Sequence, residues 1–342
     1  MKAALWNGPY NLSIQEVPCP TPSEGEVLIR TKAVGICGSD LEIYDGRFTQ
    51  CKPPLTIGHE GGGVVEAVGP GVNGLHAGDR VVVECLLYCG KCDNCRKGRY
   101  NLCDFHKVIG MIGVQGEYAE YFVAPAKNCH LLPEEITWPE AGLVDTLAGP
   151  VHGISLTEVP LESSVAVFGA GPAGLFFCKL AKLPGASKVY LVGTRANRLA
   201  FGKRYGADVM LNVNRDQVVD LIKDDTGGKG VDIVIESAGT GKALNDGLNV
   251  LKKGGVFLLY GVFGGGPIPV DIQPIQLHEF VIKGINGYPF KYPQAINFIK
   301  TGMIKVGELI SHTFALEELP EAFSSGLITK RRENYMKGVV LF

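Results

Sequence analysis

No apolar run in this chain is long enough to cross a bilayer. The longest uncharged stretch, residues 254–270, is broken by Gly and Pro and falls short of the roughly 20 apolar residues that a membrane helix needs. The opening residues carry one Lys and no apolar core of signal-peptide length, so a cytoplasmic protein is expected. Excess positive charge is also missing. The 33 Lys and Arg stand against 35 Asp and Glu, for a formal net charge of −2, whereas nucleic acid or an anionic membrane rewards clustered cations. Internal repeats and low-complexity tracts are absent. With 46% hydrophobic and 20% charged residues in a length of 342, the composition is that of a globular protein with room for two domains. Small-molecule chemistry is the expectation that remains.

Cysteine is not scarce, but its distribution argues against covalent stapling. Four of the ten cysteines, Cys89, Cys92, Cys95 and Cys103, fall within fifteen residues at C-x2-C-x2-C-x7-C spacing. Gly90, Asn94 and Gly98 lie between them and allow the tight turns that gather four thiolates around one ion. An all-sulfur tetrahedral set leaves no open position, so this loop is predicted to hold a structural zinc. An iron–sulfur cluster suits the same first three spacings, and a redox or incidental surface loop is the plainer alternative. Cys19, Cys51, Cys85, Cys129 and Cys178 have no such spacing and are read as buried or incidental thiols.

Two patterns of secondary structure follow one another. Between about residues 25 and 130, short apolar runs at 27–29, 63–68 and 81–83 are separated by Gly, Pro and Asp, which predicts a β-rich, barrel-like region. After Pro160 the runs at 165–168, 189–192, 231–235 and 256–260 alternate with helical stretches such as 175–183. That alternation is the rhythm of a doubly wound parallel sheet. The tail beyond about Ile285 is mixed, and its last run, 338–342, is expected to complete the first domain's sheet.

The run ending at Phe168 leads into Gly169-Ala170-Gly171-Pro172-Ala173-Gly174. A strand entering G-x-G-x-x-G and leaving as a helix sets backbone N–H groups and the positive helix end against a pyrophosphate. NAD-selective folds usually present Asp or Glu about 20 residues on; here that place holds Gly193, and no acidic residue occurs from Ser163 to Ala207. Gly193-Thr194-Arg195, with Arg198 nearby, offers space, a hydroxyl and guanidinium groups to a 2′-phosphate, so NADP is the predicted cofactor. The other basic residues of this stretch, Lys179, Lys182, Lys188, Lys203 and Arg204, are also explained as the coat of a solvated helix.

Upstream, Gly35-Ile36-Cys37-Gly38-Ser39-Asp40 and Gly58-His59-Glu60-Gly61 are weak signals singly. Taken with the cysteine loop and the nucleotide fold, they resemble the medium-chain, zinc-dependent alcohol and polyol dehydrogenases along essentially the whole chain. The resemblance implies a GroES-like catalytic domain at 1–150, completed by 287–342, and a Rossmann domain at 151–286. It implies a catalytic zinc held by Cys37 and His59. Asp145 is implied as the third ligand, within Leu143-Val144-Asp145-Thr146-Leu147-Ala148-Gly149, where polyol dehydrogenases usually carry Glu followed by Pro. Glu60 is implied as a carboxylate that enters or leaves the coordination sphere, and Ser39 as the first proton-relay group. Many relatives carry a His where this chain has Glu42, which is read as a solvated carboxylate, with a relay role or a bond to a polyol hydroxyl as alternatives. By family position Tyr44, Arg47, Phe48, Phe290 and Lys291 neighbour the substrate, and the assembly is expected to be a homotetramer, with a dimer as the alternative.

The function expected from all of this is NADP-dependent oxidation of a secondary alcohol, polyol or sugar-like hydroxyl, with the reverse carbonyl reduction. Three alternatives stand beside it: an NAD-dependent polyol dehydrogenase, a zinc-free quinone or enoyl reductase of the same superfamily, and a non-catalytic NADP-binding zinc protein.

Overall fold

A computed structural model describes residues 1–264, 266–330 and 334–342. Its contacts divide the chain into one unit of Met1–Ala148 with Pro289–Phe342 and a second of Gly149–Tyr288. The division falls inside the helix Val144–Ser155.

The first unit is built on a seven-stranded sheet. Its long strand Glu26–Gly35 alternates buried and half-buried residues over most of its length, with Val27, Ile29 and Ala33 inward, the period-2 pattern of a strand with one face on a core. It pairs antiparallel with Glu60–Val68, with Tyr121–Pro125 and with the C-terminal strand Lys337–Leu341. The last run of the chain therefore does complete the first unit's sheet, and it brings Lys337 from the far end of the sequence into the same layer as Glu60. Two smaller three-stranded sheets flank this framework.

The second unit is a six-stranded, all-parallel sheet in the spatial order Val209–Asn212, Lys188–Gly193, Ser164–Phe168, Val231–Glu236, Leu251–Leu259, Val281–Gly284. Val165, Val167, Leu191 and Ile235 are completely buried and Ile233 nearly so, because helices cover both faces of a parallel sheet. The strand Ser164–Phe168 lies between one neighbour that follows it directly and one that comes three strands later. This is the topological switch point, where doubly wound folds open a ligand crevice at the carboxyl ends of the strands. Among the described residues, no helix is long and apolar enough to cross a membrane.

Candidate metal centre and dinucleotide site

The four-cysteine loop closes on a single point. The Cys89 and Cys95 sulfurs are 4.0 Å apart and those of Cys92 and Cys103 are 3.9 Å apart, and all four sulfurs lie within 4.8 Å of one another. A tetrahedral ion with metal–sulfur bonds of about 2.3 Å sets sulfurs at about 3.8 Å from each other, so the loop has the dimensions of a one-ion site and no room for a cluster. The backbone N–H groups of Lys91 and Cys92 hold the Cys89 thiol down at about 6. Burial, followed by the neighbouring thiols, drives Cys95 up to about 12. Four thiolates at this spacing would need a cation, and the group could hold one.

A second group forms where Glu60–Val68 begins beside the helix Gly38–Tyr44. One ligand atom each from Cys37, His59 and Glu60 lies within 4.8 Å of the others, a span that one ion bridges. The C-G-S-D sequence makes its own local structure: Cys37 is the N-cap of the helix, and its N–H donates to Asp40 Oδ2 at 2.8 Å, as a capping box does. The fully buried Asp40 also accepts the Tyr118 hydroxyl at 2.8 Å, and its other oxygen stands 3.4 Å from His59 Nδ1. With Nδ1 turned to Asp40, Nε2 is the nitrogen left for an ion, and it lies 3.4 Å from Ser39 Oγ. Burial works to lower His59, but Asp40 and then Cys37 hold it well above its ordinary value. Burial likewise works to raise Asp40, and His59, with the Cys37 N–H and the Tyr118 hydroxyl, more than offsets it, leaving that carboxyl below its ordinary range.

Glu60 is bracketed. One oxygen is paired with the buried Lys337 ammonium, and the other accepts the Thr146 hydroxyl at 3.1 Å. Asp145, one residue earlier on the same helix, is not brought into the Cys37–His59–Glu60 group. Its Oδ2 instead accepts the Tyr292 hydroxyl at 2.8 Å and lies 4.0 Å from Cys85 Sγ. The physical reason is that a buried phenol stands within hydrogen-bond distance and holds the carboxylate.

Two expectations need correction. Glu42 is not solvated: its side chain is only 17% exposed, it stands 4.0 Å from the Arg47 guanidinium, and burial raises its carboxyl. Tyr44 is a core residue, buried against Phe323 with ring centroids 5.1 Å apart, because it lies on the inward face of its helix. Arg47 is held by Asp45 at 2.7 Å. Phe290 is 66% exposed, with its backbone N–H donating to the Tyr100 hydroxyl. The remaining cysteines divide into exposed Cys19, half-buried Cys129 and buried Cys51, Cys85 and Cys178.

The sequence reading did not find Lys337, Thr146, Tyr292 or Glu117. Glu117 is completely buried, its carboxylate lies against Gly61, and burial pushes it well above its ordinary value. Apart from Thr146, which lies in the 143–149 segment, none of these residues has a local motif. The only signal was a charged or hydroxyl-bearing residue within an otherwise apolar stretch.

In the second unit, the helix Pro172–Lys182 starts directly after N-cap Gly171, with Pro at its first position, where a missing N–H is harmless. A Cβ on Gly174 would lie 1.8 Å from the Gly169 carbonyl oxygen, whereas one on Gly171 would meet nothing closer than the Arg198 guanidinium at 3.9 Å. Gly174 thus permits close packing of helix on strand, and Gly171 keeps open space before the helix end. Arg198 is buried beside that space. Gly193 ends its strand with a Cβ position 2.8 Å from Ala170 Cβ, so small size is required there by packing as well. Thr194 is exposed and Arg195 half-exposed. Lys182 and Lys188 are engaged elsewhere, with Asp208 at 2.6 Å and with Asp225.

Two one-ion groups in the first unit, one all-sulfur and one of mixed donors, and a Gly-rich switch-point turn in the second define the class: a zinc-binding, dinucleotide-dependent oxidoreductase. The family model for the alcohol dehydrogenase GroES-like domain matches residues 23–134, and that for zinc-binding dehydrogenases matches residues 172–301. The sorbitol dehydrogenase of Bacillus subtilis (strain 168) is 33% identical over 96% of this chain and 94% of its own length. A zinc-binding dehydrogenase structure from Sinorhizobium meliloti 1021, bound to NADP, superposes with a TM-score of 0.93 at 30% identity, covering 100% of this chain and 99% of that one. A structure named a short chain alcohol dehydrogenase from E. coli CFT073, complexed with NADH, gives 0.92 at 32% identity over 100% and 99%. The chain belongs to the medium-chain, zinc-dependent alcohol and polyol dehydrogenase family.

Proposed function

We propose that the chain oxidises a secondary alcohol or polyol hydroxyl with NADP+, and runs the reverse reduction, using one catalytic and one structural zinc. The observation that carries this reading is the Cys37–His59–Glu60 group with the Ser39 hydroxyl 3.4 Å from His59. Cys37, His59 and Glu60 would hold the catalytic ion, and Cys89, Cys92, Cys95 and Cys103 the structural one. A zinc held at the first site supplies Lewis acidity toward an alcohol oxygen, and a bound NADP+ supplies the hydride acceptor.

The chain's own residues do the rest. Asp40 orients His59, as an outer partner orients a ligand imidazole, and Lys337 offsets the negative charge that Cys37 and Glu60 bring to one place. Ser39 takes the proton of the reacting hydroxyl. On the second unit, Gly171 and the helix end accept the pyrophosphate, while Thr194, Arg195 and Arg198 receive the 2′-phosphate. Gly193 supports NADP over NAD because it presents no carboxylate to repel that group. A neutral substrate is favoured because Arg47, one of the two cations that family position sets near the substrate, with Lys291, is already held by Asp45. Exposed Val281 and Ile282 on the edge strand of the parallel sheet support a homo-oligomer formed through the second unit.

Steady-state assays with NADP+ and NAD+ over a panel of polyols and secondary alcohols test this reading. It predicts kcat/KM at least tenfold higher with NADP+. Equal or greater efficiency with NAD+ would replace it with the NAD-dependent alternative.

A further inference from the structure

The phenol of Tyr292 lies between two acceptors. Tyr292 opens the helix Tyr292–Lys300, is 1% exposed, and stacks on His130 with ring centroids 4.9 Å apart. Its oxygen is 2.9 Å from the Val83 carbonyl oxygen and 2.8 Å from Asp145 Oδ2. A phenol has one proton and a carbonyl oxygen has none, so the hydroxyl donates to one acceptor at a time. Asp145 sits in the first turn of Val144–Ser155, next to Thr146, whose hydroxyl donates to Glu60. The same helical turn therefore carries one side chain that touches the Cys37–His59–Glu60 group and one that Tyr292 holds.

We infer that Tyr292 is a positioning residue that gives the Asp145 carboxylate two settings at the metal centre. In the setting seen here, the phenol donates to Asp145 and holds it. In the other, Asp145 turns toward the Cys37–His59–Glu60 group and the phenol donates to Val83 instead. The buried hydroxyl has an acceptor in both settings, Asp145 in one and the Val83 carbonyl in the other, as a buried donor requires. A carboxylate that arrives when a ligand leaves and withdraws when one binds keeps the ion's coordination filled between turnovers. The inference rests on the reading of Cys37, His59 and Glu60 as metal ligands.

The test uses the full-length zinc enzyme and a hybrid with cobalt(II) at this site and zinc kept in the four-cysteine lobe. Wild type, Tyr292→Phe, Asp145→Asn and the double variant are compared for metal release to a chelator, visible absorption and thermal stability. Tyr292→Phe keeps the ring and its stacking on His130 but loses the proton. It is expected to release metal about tenfold more slowly and to show a weaker cobalt visible band, as coordination rises. Neither change is expected when Asp145→Asn is also present. Asp145→Asn alone is expected to speed release, which keeps the inference testable if Tyr292→Phe fails to fold; unchanged release in Asp145→Asn overturns it. So does release from Tyr292→Phe as fast as or faster than wild type, or the same change with and without Asp145, which is the signature of a purely structural tyrosine. Wild type that takes up no metal through Cys37 overturns the ligand reading and this inference together. Normal uptake with no effect of Tyr292 overturns this inference alone.

Discussion

His59 and Asp40 face each other across 3.4 Å of buried space, Nδ1 to Oδ1, and this pair decides which imidazole nitrogen is presented to the metal group. Removing the charge of Asp40 removes the outer partner that fixes ring orientation and basicity. Asp40→Asn is expected to weaken metal binding at the Cys37 site by about 10–100-fold and leave the four-cysteine site unaltered. Competition with a chromophoric chelator measures both sites at once. Equal affinity at the first site would show that the ring is held by something else.

The same pair sets the pH dependence of metal uptake. Asp40 and Cys37 raise His59 in the metal-free protein above its ordinary value of 6.5. A metal ion must displace the proton that His59 carries below its folded-state pKa, and each such proton released makes binding stronger as pH rises. Apparent affinity should therefore still be increasing above pH 6.5, where an ordinary His would already be neutral. The proton also stabilises the metal-free fold: that contribution is fully present below the unfolded pKa and is lost as pH rises through the raised folded value. Metal titrations from pH 6 to 9 that level off by pH 7 would contradict this.

The four-cysteine loop is expected to be structural. Cys103→Ser breaks the tetrahedral set at its most buried member and should remove one zinc per chain while the Cys37 site still binds metal. A structural zinc contributes folding energy outright. Loss of several kcal/mol, at about 2–4 °C per kcal/mol for a unit of this size, lowers Tm by roughly 10 °C. Calorimetry with parallel metal analysis reads both; an unchanged Tm would make the loop dispensable to the fold.

Gly193 joins cofactor choice to packing. Gly193→Asp would place a carboxylate where an adenosine ribose is read, but its Cβ would also sit 2.8 Å from Ala170 Cβ and 3.3 Å from Leu199. The variant is expected to lose NADP+ affinity by at least tenfold without reaching wild-type efficiency with NAD+, because the Gly-rich turn must shift. Arg195→Ala removes only the guanidinium and should raise the KM for NADP+ by about 10–100-fold, the range for a lost hydrogen bond to a charged group, and leave the KM for NAD+ nearly unchanged. A clean switch of preference in Gly193→Asp would show that packing against Ala170 is not limiting.

Much of this was legible in the residues because the signals are local. The G-x-G-x-x-G turn is a strand, a bend and a helix start within a dozen residues, and the C-x2-C-x2-C-x7-C loop closes on itself. Cys37 and His59 were legible because each lies in a short motif of its own. The short strands Val209–Asn212 and Val281–Gly284 were not, since each is only four residues long, the first half-buried over its first two residues and the second largely exposed. The set of carboxylates around the metal group was also out of reach. Glu60 is paired with Lys337 and Asp145 with Tyr292, and both partners arrive from the far end of the chain and leave no mark near either carboxylate. Tyr44 shows the converse: an aromatic in a motif-bearing helix was read as a substrate neighbour, and its helix turns it into the core.

The central claim is tested most directly by counting zinc per chain in the wild type and in Cys37→Ala, with NADP+-dependent alcohol oxidation measured on the same samples. The account predicts two zincs falling to one, with activity lost and the fold retained. One zinc in both proteins, or full activity in Cys37→Ala, would contradict it.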